Sequence, residues 1–285
     1  MRASLAAALA QGRARLAAAG IETAELEARL LLAYATGLSQ VSLVARGRDA
    51  VDAAAAGRFA ELLHQRSRRV PLAHLTGERE FWSLRLLVDR RVLVPRPETE
   101  TLVEAALERL RPGARVADIG TGSGAVAIAL AVELGDGEFF AVDRSADALQ
   151  VARANAAAHG VSERIRFLEG DLLAPLAERP PELDAIVANL PYVPTGELEG
   201  LQPEVRDHEP HLALDGGPDG LALIGRIVVG APPLLRTGGW LLLEVGAGQA
   251  PLVREILERA GGYEQTATRR DLAGIERVVA ARRAA

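Results

Sequence analysis

The chain has 285 residues, 49% of them hydrophobic, and a formal net charge of −5. That length suits one large domain or two unequal ones; the acidic balance gives no global pull toward nucleic acid, and no apolar run is long enough to span a bilayer. There is no cysteine, and every basic residue is arginine. Disulfides, thiolate metal sites, and cysteine or lysine chemistry are therefore excluded.

Residues from the start to about Arg69 read as helices. The first twenty are Ala-rich, Arg-containing and free of acids. They read as a first helix rather than a targeting segment, because Ala3–Ala10 is short and weakly apolar before Gln11-Gly12-Arg13. That reading predicts a cytoplasmic protein. Leu5, Leu9 and Leu16 lie near one helical face. Thr23 is a candidate cap for a second helix carrying Leu26, Leu30 and Leu31. Phe59, Leu62 and Leu63 suggest another, before a basic turn Arg66–Arg69. No convergent polar set appears, so this region reads as a bundle without chemistry of its own.

Phe81, Trp82, Leu84, Leu86 and Val88, then Asp89-Arg90-Arg91, then Val92-Leu93-Val94 predict two short strands around a charged turn. Pro95 and Pro97 stiffen the chain on either side of Arg96. From Arg115, strands and helices alternate. Strands are predicted at Val116–Ile119, Phe139–Asp143, Ile165–Leu168, Leu183–Ala188 and Trp240–Val245. Helices are predicted at Ala125–Leu134, from Ser145 to Gly160, over much of Leu221–Leu235, and at Pro251–Ala260. A closing hairpin pairs Gln265–Arg269 with Glu276–Ala280. Alternation of this kind predicts an α/β fold, a mostly parallel sheet covered on both faces. Ligands then bind beyond the carboxyl ends of the strands, near the topological switch point.

Two motifs end strands there. Asp118-Ile119-Gly120-Thr121-Gly122-Ser123-Gly124 is a turn where missing Cβ atoms let backbone approach a ligand. The positive end of the helix from Ala125 faces the same space. Asp143 stands where an acid grips ribose hydroxyls. The pattern also satisfies a dinucleotide fingerprint, so a NAD-dependent oxidoreductase is one reading. Two acids favour S-adenosyl-L-methionine instead. Asp118 is placed to balance the methionine ammonium, and Asp171 with Leu172 to hold the adenine. The second motif is Asn189-Leu190-Pro191-Tyr192. The Asn189 side-chain oxygen and the Leu190 carbonyl can accept both N–H groups of a planar amide or amine, while Pro191 and Tyr192 shape a flat slot. Together the motifs predict methyl transfer from the sulfonium to such a nitrogen, without a metal. The five histidines are scattered.

The chain resembles the release-factor glutamine N5-methyltransferases (the PrmC/HemK family) over nearly its whole length. The likeness rests on Pro71-Leu72-Ala73-His74-Leu75-Thr76-Gly77, Glu80-Phe81-Trp82 and Val94-Pro95-Arg96-Pro97-Glu98-Thr99-Glu100. It continues in the glycine turn and in Glu209-Pro210 leading to Ala213–Leu221. The resemblance implies a helical substrate-recognition domain (1–79), a β-hairpin linker (80–96) and a seven-stranded class I methyltransferase domain (97–285). It implies cofactor contacts from Gly120, Thr121, Gly122, Ser123, Gly124, Asp143, Leu172 and Asn189. It implies class-1 peptide chain release factors as substrate, bound at the glutamine of their Gly-Gly-Gln motif by Asn189 to Tyr192. No membrane or stable nucleic-acid partner is expected. Arg96 and Glu98 are candidates to line the site; their alternative is a rigid linker and helix start. Gly216, Gly217 and Gly220 read as turn formers.

Leu190 departs from the family's usual Asn-Pro-Pro-Tyr. Leucine keeps the backbone carbonyl, so activity is expected to be retained. Asn-Leu-Pro-Tyr also resembles the motif of adenine N6-methyltransferases acting on RNA or DNA. The acidic charge and scarce aromatics speak against that reading. The oxidoreductase reading leaves Asn189–Tyr192 unexplained and finds no dyad for His159 or His208. A non-enzymatic nucleoside-binding module leaves Asn189 and Tyr192 without a role.

Overall fold

A computed structural model of the chain describes residues 3–177 and 182–285. Residues 1–2 and 178–181, included in the expected domains, lie outside the described residues. The chain divides into two compact units. One is Met1–Gly77 with Gln202–His208, and the other is Glu78–Leu201 with Glu209–Ala285.

The first unit is helical: Leu5–Ala18, Ala24–Thr36, Gln40–Ala45, Ala53–Ser67 and Leu72–Thr76. Ser4, Ser39 and Asp52 each accept a backbone N–H three residues ahead, so three of these helices start on a side-chain cap. Thr23 sits at the second helix's N-cap without capping it. Its hydroxyl instead donates to Glu27 Oε1 at 2.8 Å. Leu26 is exposed, because the buried stripe of that helix runs through Ala24, Ala28, Leu31, Leu32 and Ala35. The expectation of no convergent polar set is corrected as well. Arg66 lies inside a helix, nearly buried, and donates to Glu27 Oε2 at 2.5 Å and to Glu204 Oε1 at 2.9 Å. Charges so enclosed must be paired, and sequence adjacency cannot reveal partners 39 residues away.

In the second unit a hairpin comes first: β1 (Glu78–Phe81) pairs antiparallel with β2 (Leu84–Leu87). Its turn is Trp82-Ser83, at φ +52° and +57°, not Asp89–Arg91. Two-residue loops with both φ positive match the twist of paired strands. Asp89 instead folds back on its own surroundings, accepting from the Arg91 backbone and guanidinium. Val92 and Val94 are buried without joining a strand.

The main sheet has seven strands: β3 (Arg115–Ile119), β4 (Glu138–Asp143), β5 (Ile165–Glu169), β6 (Leu183–Ala188), β7 (Leu235–Glu244), β8 (Tyr263–Arg270) and β9 (Glu276–Arg283). Their spatial order is β5-β4-β3-β6-β7-β9-β8. The first five in that order are parallel, and β9 runs antiparallel to both β7 and β8. Side chains alternate between two cores. Val116, Phe139 and Ala141 face one, with helices Glu100–Leu107 and Ala125–Leu134; Ala117, Phe140 and Val142 face the other, with Ala222–Gly230 and Ala250–Ala260. Within the stretch Leu221–Leu235 the helix runs from Ala222 to Gly230; Pro232 and Pro233 cannot continue it, and Leu235 opens β7. The chain moves outward from β3 to β4 and β5, then crosses back to β6. The switch point therefore lies between β3 and β6. Among the described residues no helix is long and apolar enough to cross a membrane.

Candidate active site

Ile119 pairs with Ala188, so the two strand-ending motifs leave the sheet side by side. Gly120 and Thr121 both donate to the Val142 carbonyl, at 2.9 and 3.0 Å, which bends the chain sharply after β3. Gly120 has φ +76°, and a Cβ there would lie 3.1 Å from Leu190 Cδ2. Gly122 has φ +56°, and a Cβ on it would meet only the Gly120 carbonyl, at 4.0 Å. One glycine thus lets two motifs touch, while the other leaves an open backbone face. Helix Ala125–Leu134 starts directly after Gly124 and points its positive end at this space.

Asp143 closes the next strand. Its Oδ2 accepts from Gly122 N and its Oδ1 from Ser145 N, both at 2.9 Å. Burial raises its pKa against these bonds. The carboxylate is held at the turn with lone pairs left to accept hydroxyls. Asp118 is only 3% exposed. Its Oδ2 accepts from Thr121 Oγ1 at 2.7 Å and Ala127 N at 3.1 Å. Burial pushes its pKa up to about 6. Both bonds fall on Oδ2 and brace the turn and the helix start, so Asp118 supports the glycine turn it adjoins. Thr121 and Ser123 are buried too. The Ser123 carbonyl accepts from Asn155 Nδ2 at 2.9 Å, and the same amide group bonds Leu87 of the hairpin.

Asp171 and Leu172 follow β5. Gly170 N donates to the Asp143 carbonyl at 3.0 Å, which draws this segment toward β4. Leu172 has φ +52° and packs against the second core. Asp171 is exposed and ion-paired with Arg226 at 2.5 Å, and that guanidinium holds its carboxyl below the usual range. Its described contact is therefore Arg226.

After β6, Asn189 Nδ2 donates to Thr99 Oγ1 at 3.0 Å. No hydrogen bond of the described residues occupies Asn189 Oδ1 or the Leu190 carbonyl. The next two carbonyls are closed off. A Cβ on Gly216 would lie 2.7 Å from the Pro191 carbonyl, and one on Gly220 2.2 Å from that of Tyr192. Gln249 Nε2 donates to the Tyr192 carbonyl at 2.9 Å. The Ala213–Leu221 segment thus clamps the loop, while Gly217 and Gly220, at φ +91° and +74°, turn the chain just ahead of helix Ala222–Gly230. Leu190 is 3% exposed and packs in the core. Tyr192 is half-buried, and burial, with Glu244 nearby, pushes its pKa up to about 12.

Arg96 donates to Glu209 Oε1 at 2.7 Å, which ties the proline linker to Glu209-Pro210. The charge of Glu98 reaches Tyr192 and Glu244. Sequence reading gave no individual role to Thr99, Asn155, Gln249, Glu209 or Glu244. Glu244 had a visible signal: an acid ending the apolar run Leu241–Leu243 beside the switch point.

The arrangement offers two unengaged acceptors next to a glycine turn and a fixed carboxylate. It suits a nucleoside ligand on one side and a planar NH2 group on the other. Among the described residues no cluster of three or more metal-ligating side chains occurs.

The sequence matches the PrmC N-terminal domain over residues 7–77 and a methyltransferase domain over 116–208. It is 46% identical to the release factor glutamine methyltransferase of Moorella thermoacetica, over 95% of both chains. It is 42% identical to that of Geobacter sulfurreducens, over 95% of this chain and 93% of the other. The fold is similar to the ribosomal protein L11 methylase of Lactobacillus delbrueckii subsp. bulgaricus. That match has a TM-score of 0.51 and 22% identity, over 70% of this chain and 84% of that one.

Proposed function

Because the chain belongs to the family of release factor glutamine methyltransferases, we propose that it transfers a methyl group from S-adenosyl-L-methionine to the side-chain amide nitrogen (N5) of the Gly-Gly-Gln glutamine of class-1 peptide chain release factors. The observation that carries this reading is the pair of open acceptors, Asn189 Oδ1 and the Leu190 carbonyl, beside the glycine turn.

The residues present fit the cofactor. The open face at Gly122 admits close approach, and the Asp143 carboxylate is held to accept ribose hydroxyls. Gly120, Thr121, Gly122, Ser123 and Gly124 shape the cradle, and Asp118 holds it by bracing the turn. Leu172 supplies an apolar wall, and Asp171 stands at its rim. When bound, the cofactor supplies an already activated methyl group on a sulfonium.

An amide nitrogen is a weak nucleophile because its lone pair is delocalised. Asn189 Oδ1 and the Leu190 carbonyl accept its two N–H groups, fix the plane of the amide, and face the positive charge that develops on nitrogen. Pro191 and Tyr192 hold the slot flat. Alignment of this kind supplies about 7–11 kcal/mol in favourable cases. Residues 1–79 are assigned to substrate recognition, 80–96 to the hairpin linker and 97–285 to methyl transfer, all acting in the cytoplasm.

An adenine amino group also presents two N–H donors. The test is therefore a side-by-side transfer assay with labelled cofactor on an unmodified release factor and on unmodified RNA and DNA. Label in the release factor alone supports the proposal; label in nucleic acid alone rejects it.

A further inference from the structure

We propose that Thr99 and Glu244 fix the direction in which the Asn189 amide faces, so that Glu244 is a positioning residue for methyl transfer. The proposal rests on the acceptor role of Asn189 given above.

Glu244 ends β7, one residue beyond the Leu243 that pairs with Ala188. It is 1% exposed, and neither carboxylate oxygen makes a closed hydrogen bond. A buried carboxylate left so bare is costly and needs a reason. Two hydroxyls, those of Thr99 and Tyr192, stand close enough to ease its charge, although outside the limits of a closed bond. Thr99 is itself buried, and among the described residues its hydroxyl receives a hydrogen bond from Asn189 Nδ2.

A threonine hydroxyl has one proton to give. An ionised Glu244 accepts only, so it draws that proton. The Thr99 oxygen must then accept from Asn189, which turns Nδ2 inward and leaves Oδ1 facing the substrate N–H. A protonated Glu244 reverses the relay. It donates to Thr99, Thr99 donates to Asn189, and the amide is favoured in the flipped orientation, presenting a donor to a donor. Glu98 disfavours the ionised form and Arg277 favours it, with Arg277 itself anchored on Asp271 at 2.9 Å. Burial dominates and pushes the Glu244 pKa up to about 7, within the working range of an enzyme.

Two readouts test the relay. The first is the Asn189 side-chain amide signal in nitrogen-edited NMR of the full chain, assigned by its loss in Asn189→Ala. It should titrate near pH 7 in the wild type and be flat in Glu244→Gln. The second is turnover on an unmodified release factor. Wild-type kcat should rise about tenfold per pH unit below pH 7 and level off above it. Glu244→Gln should lose that limb and at least about tenfold in kcat, with KM for the release factor and cofactor affinity little changed. Thr99→Ser should keep the limb and most activity, and Thr99→Val should lose both. An Asn189 signal that titrates identically in Glu244→Gln overturns the relay. If release factor is never methylated but the Asn189 signal behaves as expected, the relay stands and the substrate assignment fails.

Discussion

Asn189 and Thr99 are 90 residues apart in sequence and joined by a 3.0 Å hydrogen bond. That bond fastens the loop after β6 to the short turn Pro97–Thr99. It engages the amide's donor end and leaves its acceptor end without a hydrogen bond among the described residues.

The first consequence concerns Asn189→Ala. Removing the side chain takes away one acceptor for the substrate amide but leaves the glycine turn and Asp143 intact. Cofactor binding by calorimetry should stay within a few-fold of wild type, while kcat falls about 10²–10³-fold, as for loss of one preorganised transition-state contact. Equal loss of cofactor affinity would make Asn189 chiefly a cofactor ligand.

Leu190→Pro separates backbone from side chain. The carbonyl is kept, and among the described residues no hydrogen bond of the Leu190 N–H is lost. A leucine packed into the core and against Gly120 is lost, however. Turnover should be retained, with stability in urea lowered by about 1–3 kcal/mol. Abolished turnover with the fold intact would contradict the role given to the Leu190 carbonyl.

Gly220→Ala probes the clamp. Its φ is +74°, and a Cβ would stand 2.2 Å from the Tyr192 carbonyl. Overpacking and strain should cost about 2 kcal/mol or more, and transfer should fall with cofactor affinity preserved. Gly225→Ala is the control. Beyond its chain neighbours and its own helix backbone, no described residue lies within 4 Å of its Cβ position on helix Ala222–Gly230, so stability there should hold or rise slightly. Equal tolerance of both changes would mean the loop is not clamped.

Stability should also depend on pH through Glu244. Its pKa rises from 4.5 unfolded to about 7 folded, so the native state holds the proton more tightly than the unfolded chain. Stability should therefore fall as pH rises from about 4.5 to 7, by about 3 kcal/mol at most. Asp118, raised from 3.8 to about 6, adds a fall of the same sign in a lower window. Urea denaturation at pH 5 and pH 8 should give a smaller difference in Glu244→Gln than in wild type. Identical differences would mean Glu244 does not titrate in this range.

The sheet was legible because β-strand runs such as Ala185–Ala188 and their intervening helices carry strong apolar patterns, and both site motifs close such runs. The hairpin was misplaced by one turn, because the charged run Asp89–Arg91 looked more turn-like than Trp82-Ser83, whose positive φ angles are set by strand twist. The bracing role of Asp118 could not be read from its position alone. Its bonds from Thr121 and Ala127, both to Oδ2, form only once the turn is folded. Thr99 and Gln249 were invisible for a related reason. Each acts through a partner far along the chain, and local spacing carries no trace of it.

The most direct test of the account is peptide-mapping mass spectrometry of an unmodified class-1 release factor after incubation with this protein and S-adenosyl-L-methionine. A single methyl mass gain is expected on the Gly-Gly-Gln glutamine, absent with Asn189→Ala. No gain on that glutamine, with cofactor binding verified by calorimetry, or an equal gain with Asn189→Ala, would contradict it.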